Sequence, residues 1–270
     1  MYLDAMLLQP KTKPSELGGM NMDTIKIDKR NTLMVAHRGL SSVEPENTIS
    51  AFVAAGNRSY FGIECDVHVT KDGKFVVIHD AETGRVAKEN INVEESTFED
   101  VRKVLLDNYS RAEKAMFPDE HRQNRGDLII PSISEYISIC KKYDKKCVIE
   151  LKGVWTIECI DKMVEEIKGL EYLENVIFIS FNLSNLVSLR KRLPKQKAQY
   201  LVSTFNDEVL EVLNKYDFDL DIAHSAVTKE LVELVHKNNH IVNCWTVNKA
   251  EDAEIYAEYG VDQITTENLE

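Results

Sequence analysis

Residues 35–80 read VAHRGLSSVEPENTISAFVAAGNRSYFGIECDVHVTKDGKFVVIHD, and three apolar runs in and just before this stretch each stop at a charged or titratable group. Residues 33–36 precede His37 and Arg38, residues 60–63 precede Glu64 with Asp66 two positions on, and residues 75–78 precede His79. Strands of a parallel sheet are buried on both faces and read as continuous apolar runs, with functional groups gathered at their carboxyl ends. The spacing therefore predicts one site assembled from several strand ends.

Outward from this stretch the same alternation continues. Helices are predicted over residues 46–56, 132–143, 156–168, 183–192, 207–216, 228–238 and 249–259. Strands are predicted over 33–36, 61–67, 75–78, 147–151, 176–180, 198–202, 218–222 and 241–245, with a further extended piece at 263–265. Eight strands alternating with helices predict an α/β fold, a TIM-type (β/α)8 barrel. An open doubly wound sheet is the alternative, but no GxGxxG follows the first strand. Only the turn Thr70-Lys71-Asp72-Gly73 separates the second and third strands, which leaves no room for a crossover helix and marks where the barrel is least regular. Residues 82–130 break the alternation and form a small insertion after the third strand, with a strand near 91–93, a short helix at 99–106 and a polar stretch at 119–127. Placed there, it is either a lid that shapes the substrate site or a solvated loop.

The chain has 270 residues, enough for one barrel domain at 32–270 behind an N-terminal extension at 1–31. Pro10, Pro14, Gly18 and Gly19 discourage a helix in that extension. Met20 or Met22 could be the natural start with an added leader ahead of it, and the apolar Met6, Leu7 and Leu8 are too few to anchor a membrane. No run of about 18 apolar residues is present, so stable membrane insertion is not expected. A formal charge of −12 argues against nucleic acid as a partner, since that needs a basic face. The five cysteines fall in no CxxC pair or metal cluster and, with no secretory signal, suggest reduced thiols in a cytoplasmic protein.

Glu64 and Asp66 are two apart on one strand and so share a face. Ile63 and Val67 place them inside a buried sheet, where unpaired charge is costly. Glu150 ends another strand, and three oxygen donors suit Mg²⁺ or Ca²⁺ better than zinc. His37 and His79 at two strand ends are a candidate acid and base pair, because imidazole titrates near neutral pH. His68, His121, His224, His236 and His240 have no such setting. Arg38 and Lys152 bring positive charge to the same rim and suit a phosphate. Three carboxylates, one divalent cation, one Arg and one Lys sum to a formal +1, which a phosphodiester monoanion would neutralise.

Taken together, Ala36-His37-Arg38-Gly39, Pro45-Glu46-Asn47-Thr48, Glu64-Cys65-Asp66-Val67, Thr70-Lys71-Asp72-Gly73 and Val77-Ile78-His79-Asp80 resemble the glycerophosphodiester phosphodiesterase family. Ile149-Glu150-Leu151-Lys152, Ser180-Phe181-Asn182 and Trp245-Thr246-Val247-Asn248 extend the resemblance to the C-terminus. It implies a TIM barrel with a small inserted subdomain, one divalent cation on Glu64, Asp66 and Glu150, and His37 and His79 as acid and base. It further implies Arg38 and Lys152 on the phosphate, Phe181 and Trp245 as pocket walls, and Glu46 and Asn47 in support, although Pro45 to Thr48 also reads as plain helix-start chemistry. The expected reaction is hydrolysis of a small-molecule glycerophosphodiester to sn-glycerol 3-phosphate and an alcohol. A departure follows His79-Asp80: the family usually continues Leu-x-Arg-Thr, and this chain has Ala81-Glu82-Thr83-Gly84-Arg85, which bears on head-group preference. The rivals are a related barrel phospholipase acting on lysophospholipids or sphingolipids, and a non-catalytic protein that binds phosphodiesters.

Overall fold

The computed structural model describes residues 24–107 and 126–270. The expectations for the leader, for Met6 to Leu8, for Met20 and Met22, for His121 and for most of the polar stretch 119–127 lie outside the described residues.

Eight parallel strands close a barrel: β1 (Leu33–Ala36), β2 (Gly62–Val69), β4 (Lys146–Leu151), β5 (Val176–Ser180), β6 (Ala198–Val202), β7 (Asp219–Ala223), β8 (Val242–Trp245) and β9 (Gln263–Thr266). Closure comes from β1, which pairs with β9 through Leu33 and Gln263 and with β2 through Val35 and Gly62. Strand β3 (Phe75–Val77) is not part of the barrel. It runs antiparallel to β2, with Val67 opposite Val77 and Val69 opposite Phe75.

Two strand assignments are thereby corrected. Residues 75–78 were expected as a barrel strand, but a parallel return needs a connection of a dozen or more residues, and the Thr70 to Gly73 turn permits only a hairpin. That turn closes with the Gly73 N–H on the Thr70 carbonyl at 2.8 Å, with Gly73 at φ +72°. The eighth barrel strand is instead the terminal piece β9, buried along its whole length. Strand β2 overshoots the rim and β3 descends beside it, so His79 reaches the level of Asp66 from above. The Ile78 N–H donates to the Asp66 carbonyl at 3.0 Å.

Helices surround the barrel: α1 (Ile49–Gly56), α3 (Ile133–Lys142), α4 (Ile157–Gly169), α5 (Leu183–Arg192), α6 (Asp207–Tyr216), α7 (Lys229–Lys237) and α8 (Ala250–Tyr259). Thr48, Ser132, Thr156, Asn182, Asn206 and Thr228 each accept a backbone N–H of the first turn, which satisfies a donor that the helix itself cannot. Helix α1 starts at Ile49 rather than at Glu46, because Asn47 takes φ +54°.

The described part of the insertion is packed, not a solvated loop. Val76, Ile78, Val86, Val93, Val101, Val104, Leu106 and Ile130 form a second apolar core beside β3. A short helix α2 (Phe98–Val101) is shorter than the expected 99–106, because Leu105 and Leu106 bridge to Ile129 and Ala87. The expected strand at 91–93 reduces to a single bridge between Asn92 and Glu82. Among residues 24–31 of the expected extension, Ile25 bridges to Leu269 beside the C-terminus.

Candidate active site

The carboxyl end of β1 delivers His37 and Arg38. The His37 N–H donates to the Thr266 carbonyl at 2.8 Å, which carries the β1 and β9 pairing one residue past the strand. Arg38 then turns into the left-handed region at φ +55°, a conformation that costs a non-glycine residue about 1–2 kcal/mol. Its contacts offset that cost. Its N–H donates to Glu64 Oε2 at 2.8 Å, its Nη1 to Glu46 Oε1 at 2.9 Å, and its Nε stands 3.3 Å from Asp66 Oδ2.

Glu64 and Asp66 point inward from β2, and β4 lies alongside with Asp66 paired to Glu150. Oxygens of Glu64, Asp66 and Glu150 all lie within 4.8 Å of one another. Asn47 donates from Nδ2 to Asp66 Oδ2 at 2.8 Å, and Lys152 Nζ reaches Asp66 Oδ1 at 3.3 Å and Glu150 Oε1 at 3.0 Å. The loop carrying Lys152 is fixed from below. Ser180 Oγ donates to the Leu151 carbonyl at 2.8 Å, and Asn185 Nδ2 to the Gly153 carbonyl at 3.0 Å.

The electrostatics of this cluster are unequal. Burial opposes the charge on Asp66, but Lys152, Arg38, His79 and the Asn47 amide outweigh it and hold its pKa well below the ordinary value. Burial pushes Glu64 well up, helped by the charge on Asp66. Burial and Asp66 likewise push Glu150 up to about 7. The protein's own cations thus compensate one carboxylate and leave the other two short of positive charge. An all-oxygen donor set that close, with that deficit, fits a hard divalent cation such as Mg²⁺ or Ca²⁺.

Both histidines have carboxylate partners that sequence patterns did not single out. His79 Nδ1 lies 2.6 Å from Asp80 Oδ1, and His37 Nδ1 lies 3.4 Å from Glu267 Oε1. Asn248 holds Glu267 by donating to Oε2 at 2.9 Å while accepting its N–H at 2.9 Å. Burial lowers the His79 pKa, with Arg38 and Lys152 acting in the same direction, and the Asp66 and Asp80 charges recover only part of that. Arg85 bridges Asp80 to both oxygens of Glu46, at 2.9 and 2.8 Å for the latter. His68, ordinary by sequence, faces the His79 carbonyl through Nε2 at 3.0 Å and Glu94 through Nδ1 at 2.8 Å. Asp80 and Asn248 belong to recognisable motifs, whereas Arg85 and His68 carry no local signal.

These side chains share one cavity of about 110 Å³, lined by His37, Arg38, Glu64, His79, Glu150 and Lys152 on one side. Ile179, Phe181, Leu201, Asp221, Trp245, Thr246 and Thr265 complete its wall. Phe181 meets Trp245 edge to face, with centroids 5.5 Å apart. Glu46 and Asn47 stand behind it, on Arg38 and Asp66. A wider, open groove of about 490 Å³ adjoins it, sharing Glu150, Lys152 and Phe181. Two cations suited to a phosphate, two carboxylate-backed imidazoles and an acidic cluster suited to a metal, gathered at one cavity, are parts that phosphoryl transfer can use.

Comparison with known proteins gives a consistent result. The sequence pattern of the Glycerophosphoryl diester phosphodiesterase family matches residues 37–270. A glycerophosphodiester phosphodiesterase of Caldanaerobacter subterraneus is 34% identical over 242 residues, covering 88% of this chain and 95% of that protein. One from Bacillus altitudinis is 27% identical, covering 87% and 94%. Among solved structures, an Oleispira antarctica phosphodiesterase in complex with the product sn-glycerol-3-phosphate superposes with a TM-score of 0.76 at 24% identity, over 87% of this chain and 93% of that one. A Thermotoga maritima glycerophosphodiester phosphodiesterase gives 0.67 at 24% identity, over 88% and 95%.

Proposed function

The chain belongs to the glycerophosphoryl diester phosphodiesterase family and is a phosphodiester hydrolase, and from that premise we propose that it cleaves glycerophosphodiesters to sn-glycerol 3-phosphate and an alcohol with one divalent cation. The observation that carries the proposal is the shared cavity, in which Glu64 and Glu150, clustered with the buried Asp66, line the wall together with Arg38, Lys152 and both histidines.

Glu64, Asp66 and Glu150 would hold the cation, and Mg²⁺ or Ca²⁺ would supply Lewis acidity toward the phosphoryl oxygen and the attacking hydroxyl. Arg38 and Lys152 bind the non-bridging phosphate oxygens and orient the diester. With Nδ1–H donated to Asp80, His79 presents a free lone pair at Nε2. Its lowered pKa keeps that site unprotonated near neutral pH, so His79 takes the proton of the attacking hydroxyl. His37, backed by Glu267, enters the step as the imidazolium and gives its Nε2 proton to the departing alcohol oxygen, and the proton taken by His79 leaves to solvent as the pair resets. The same pair serves attack by water or by the glycerol hydroxyl. The open groove past Lys152 and Phe181 takes the alcohol portion.

No helix among the described residues is long and apolar enough to cross a membrane. All five cysteines are free thiols, four of them buried, which supports a cytoplasmic setting. The test is a panel of glycerophosphodiesters, with micellar lysophospholipid as a further arm, assayed with chelator, Mg²⁺ or Ca²⁺ and read by release of glycerol 3-phosphate. Metal-dependent release is expected. Binding without turnover under every metal would point to a phosphodiester-binding protein, and turnover of micellar lipid alone would point to a phospholipase.

A further inference from the structure

The interior of the barrel below the site is polar, and most of its polar groups satisfy one another. Gln199 donates to Gln263 Oε1 at 2.9 Å, and Asn243 Nδ2 lies 3.2 Å from Thr265 Oγ1. Asp221 on β7 is an exception. It is 1% exposed and lines the cavity, yet among the described residues its Oδ1 has no hydrogen-bond partner. A buried carboxyl oxygen without a partner is costly and persists where something else completes it.

A second unsatisfied group belongs to the same wall. Trp245 Nε1 is buried without a hydrogen-bond partner among the described residues, and Trp245 also lines the cavity. The two residues share a face of neighbouring strands, because Ala223, two positions after Asp221, pairs with Trp245. One is an acceptor and the other a donor.

The chemistry of the missing partner is narrow. A phosphate would be repelled by Asp221 and is drawn to Arg38 and Lys152. A trimethylammonium group has no N–H to donate, and a primary ammonium cannot accept from an indole. An alcohol hydroxyl does both. A cavity of about 110 Å³ has room for the end of a small polyol. We propose that Asp221, paired with Trp245 Nε1, is the subsite that grips a free hydroxyl of the glycerol unit, and that it sets preference for glycerol esters over other phosphodiesters. This deepens, and rests on, the phosphodiesterase reading above. Burial pushes the Asp221 carboxyl well above its ordinary pKa against the help of the Asn243 amide, with Glu150 adding to the rise. A hydroxyl matches either protonation state, since it donates to a carboxylate and accepts from a carboxylic acid.

The test compares binding of sn-glycerol 3-phosphate and of propyl phosphate, which has the same charge and no hydroxyl, to the Mg²⁺-supplied full chain by calorimetry. Wild type should prefer the glycerol ester by roughly 10- to 100-fold, the worth of satisfying a buried polar group that is otherwise left without a partner. In Asp221→Leu the ratio should fall to within about threefold while the affinity for propyl phosphate holds. Trp245→Phe, which removes the N–H and keeps most of the ring, should lower the ratio in the same direction and stands in if the Leu variant does not fold. A wild-type ratio near one, or a ratio that survives in both variants, overturns the proposal. Loss of discrimination between ethanolamine and choline esters in Asp221→Leu, with the hydroxyl ratio intact, overturns it in favour of an ammonium site. Turnover is measured in parallel: a chain that shows the ratio but cleaves no glycerophosphodiester refutes the hydrolase reading and supports the subsite, and one that cleaves without the ratio refutes the subsite alone.

Discussion

His79 Nδ1 and Asp80 Oδ1 stand 2.6 Å apart, and the other oxygen of Asp80 is held by Arg85, whose remaining nitrogens grip Glu46. Glu46 in turn takes Arg38 at 2.9 Å. An unbroken line of charged contacts therefore runs from the imidazole proposed as the base, through a residue of the insertion, to the guanidinium proposed to bind the phosphate. The insertion is wired into the rim by this line.

The first expected consequence concerns Asp80→Asn. The Asp80 carboxylate raises the His79 pKa while burial lowers it below the ordinary 6.5. Removing the carboxylate removes the raising contribution, so the acid limb of the kcat/KM profile should move to lower pH. The maximal rate should fall by roughly 10- to 100-fold, because the imidazolium formed during turnover loses its partner. A pH–rate profile decides the matter, and a limb displaced upward would contradict the assignment of His79 as the base.

His37→Ala and His79→Ala should each lower turnover by a factor of roughly 10² to 10⁴. Both side chains lie past strand ends on the rim, outside the apolar core, so melting temperatures should stay close to wild type. Near-normal rates in both variants would remove the pair from the mechanism.

The raised pKa of Glu150 has a consequence for the metal-free protein. Glu150 is pushed from 4.5 to about 7, so the folded chain holds a proton that the unfolded chain releases. Such a group contributes stability that is full below its unfolded pKa and is lost as pH rises toward 7, on the order of 2–3 kcal/mol. His79, lowered by burial, acts in the opposite direction near pH 6. Urea unfolding in chelator at pH 5 and pH 8 should therefore show wild type losing stability relative to Glu150→Gln over that interval. Addition of Mg²⁺ or Ca²⁺ at pH 8 should reverse the loss, and metal affinity should rise with pH as protons leave the site.

Much of the barrel was legible in the sequence, because buried strands such as β5 read as apolar runs and β2 and β4 carry apolar residues up to and between their acids. The same criterion misread β3, a hairpin strand equally buried on both faces, since an apolar run carries no sign of direction. It discounted β9, whose sequence is QITT, because Gln263 and Thr265 point into a polar barrel interior. Discounting β9 also hid Glu267, which stands just past its carboxyl end. The candidate metal and phosphate residues were legible from strand-end position. Arg85 was not, since its contacts with Asp80 and Glu46 arise only once the insertion folds back. Asp221 was hidden in the alternating DLDIA of β7, where nothing local distinguishes an inward aspartate from a solvated one.

Two glycines at positive φ separate backbone need from steric need. Gly73 at φ +72° would, as alanine, meet only the mobile end of Lys162 at 3.1 Å. Gly39 at φ +78° would place a Cβ 2.7 Å from the backbone of Ala51, which cannot yield without moving α1. Gly73→Ala should cost about 1–2 kcal/mol, the left-handed penalty alone. Gly39→Ala should cost that plus about 1–3 kcal/mol of overpacking. The shift would also displace Arg38, whose N–H holds Glu64 at 2.8 Å, so Gly39→Ala should lose activity well beyond its loss of stability. Urea midpoints and kcat/KM measured on both variants decide this, and equal stability costs or full activity in Gly39→Ala would refute it.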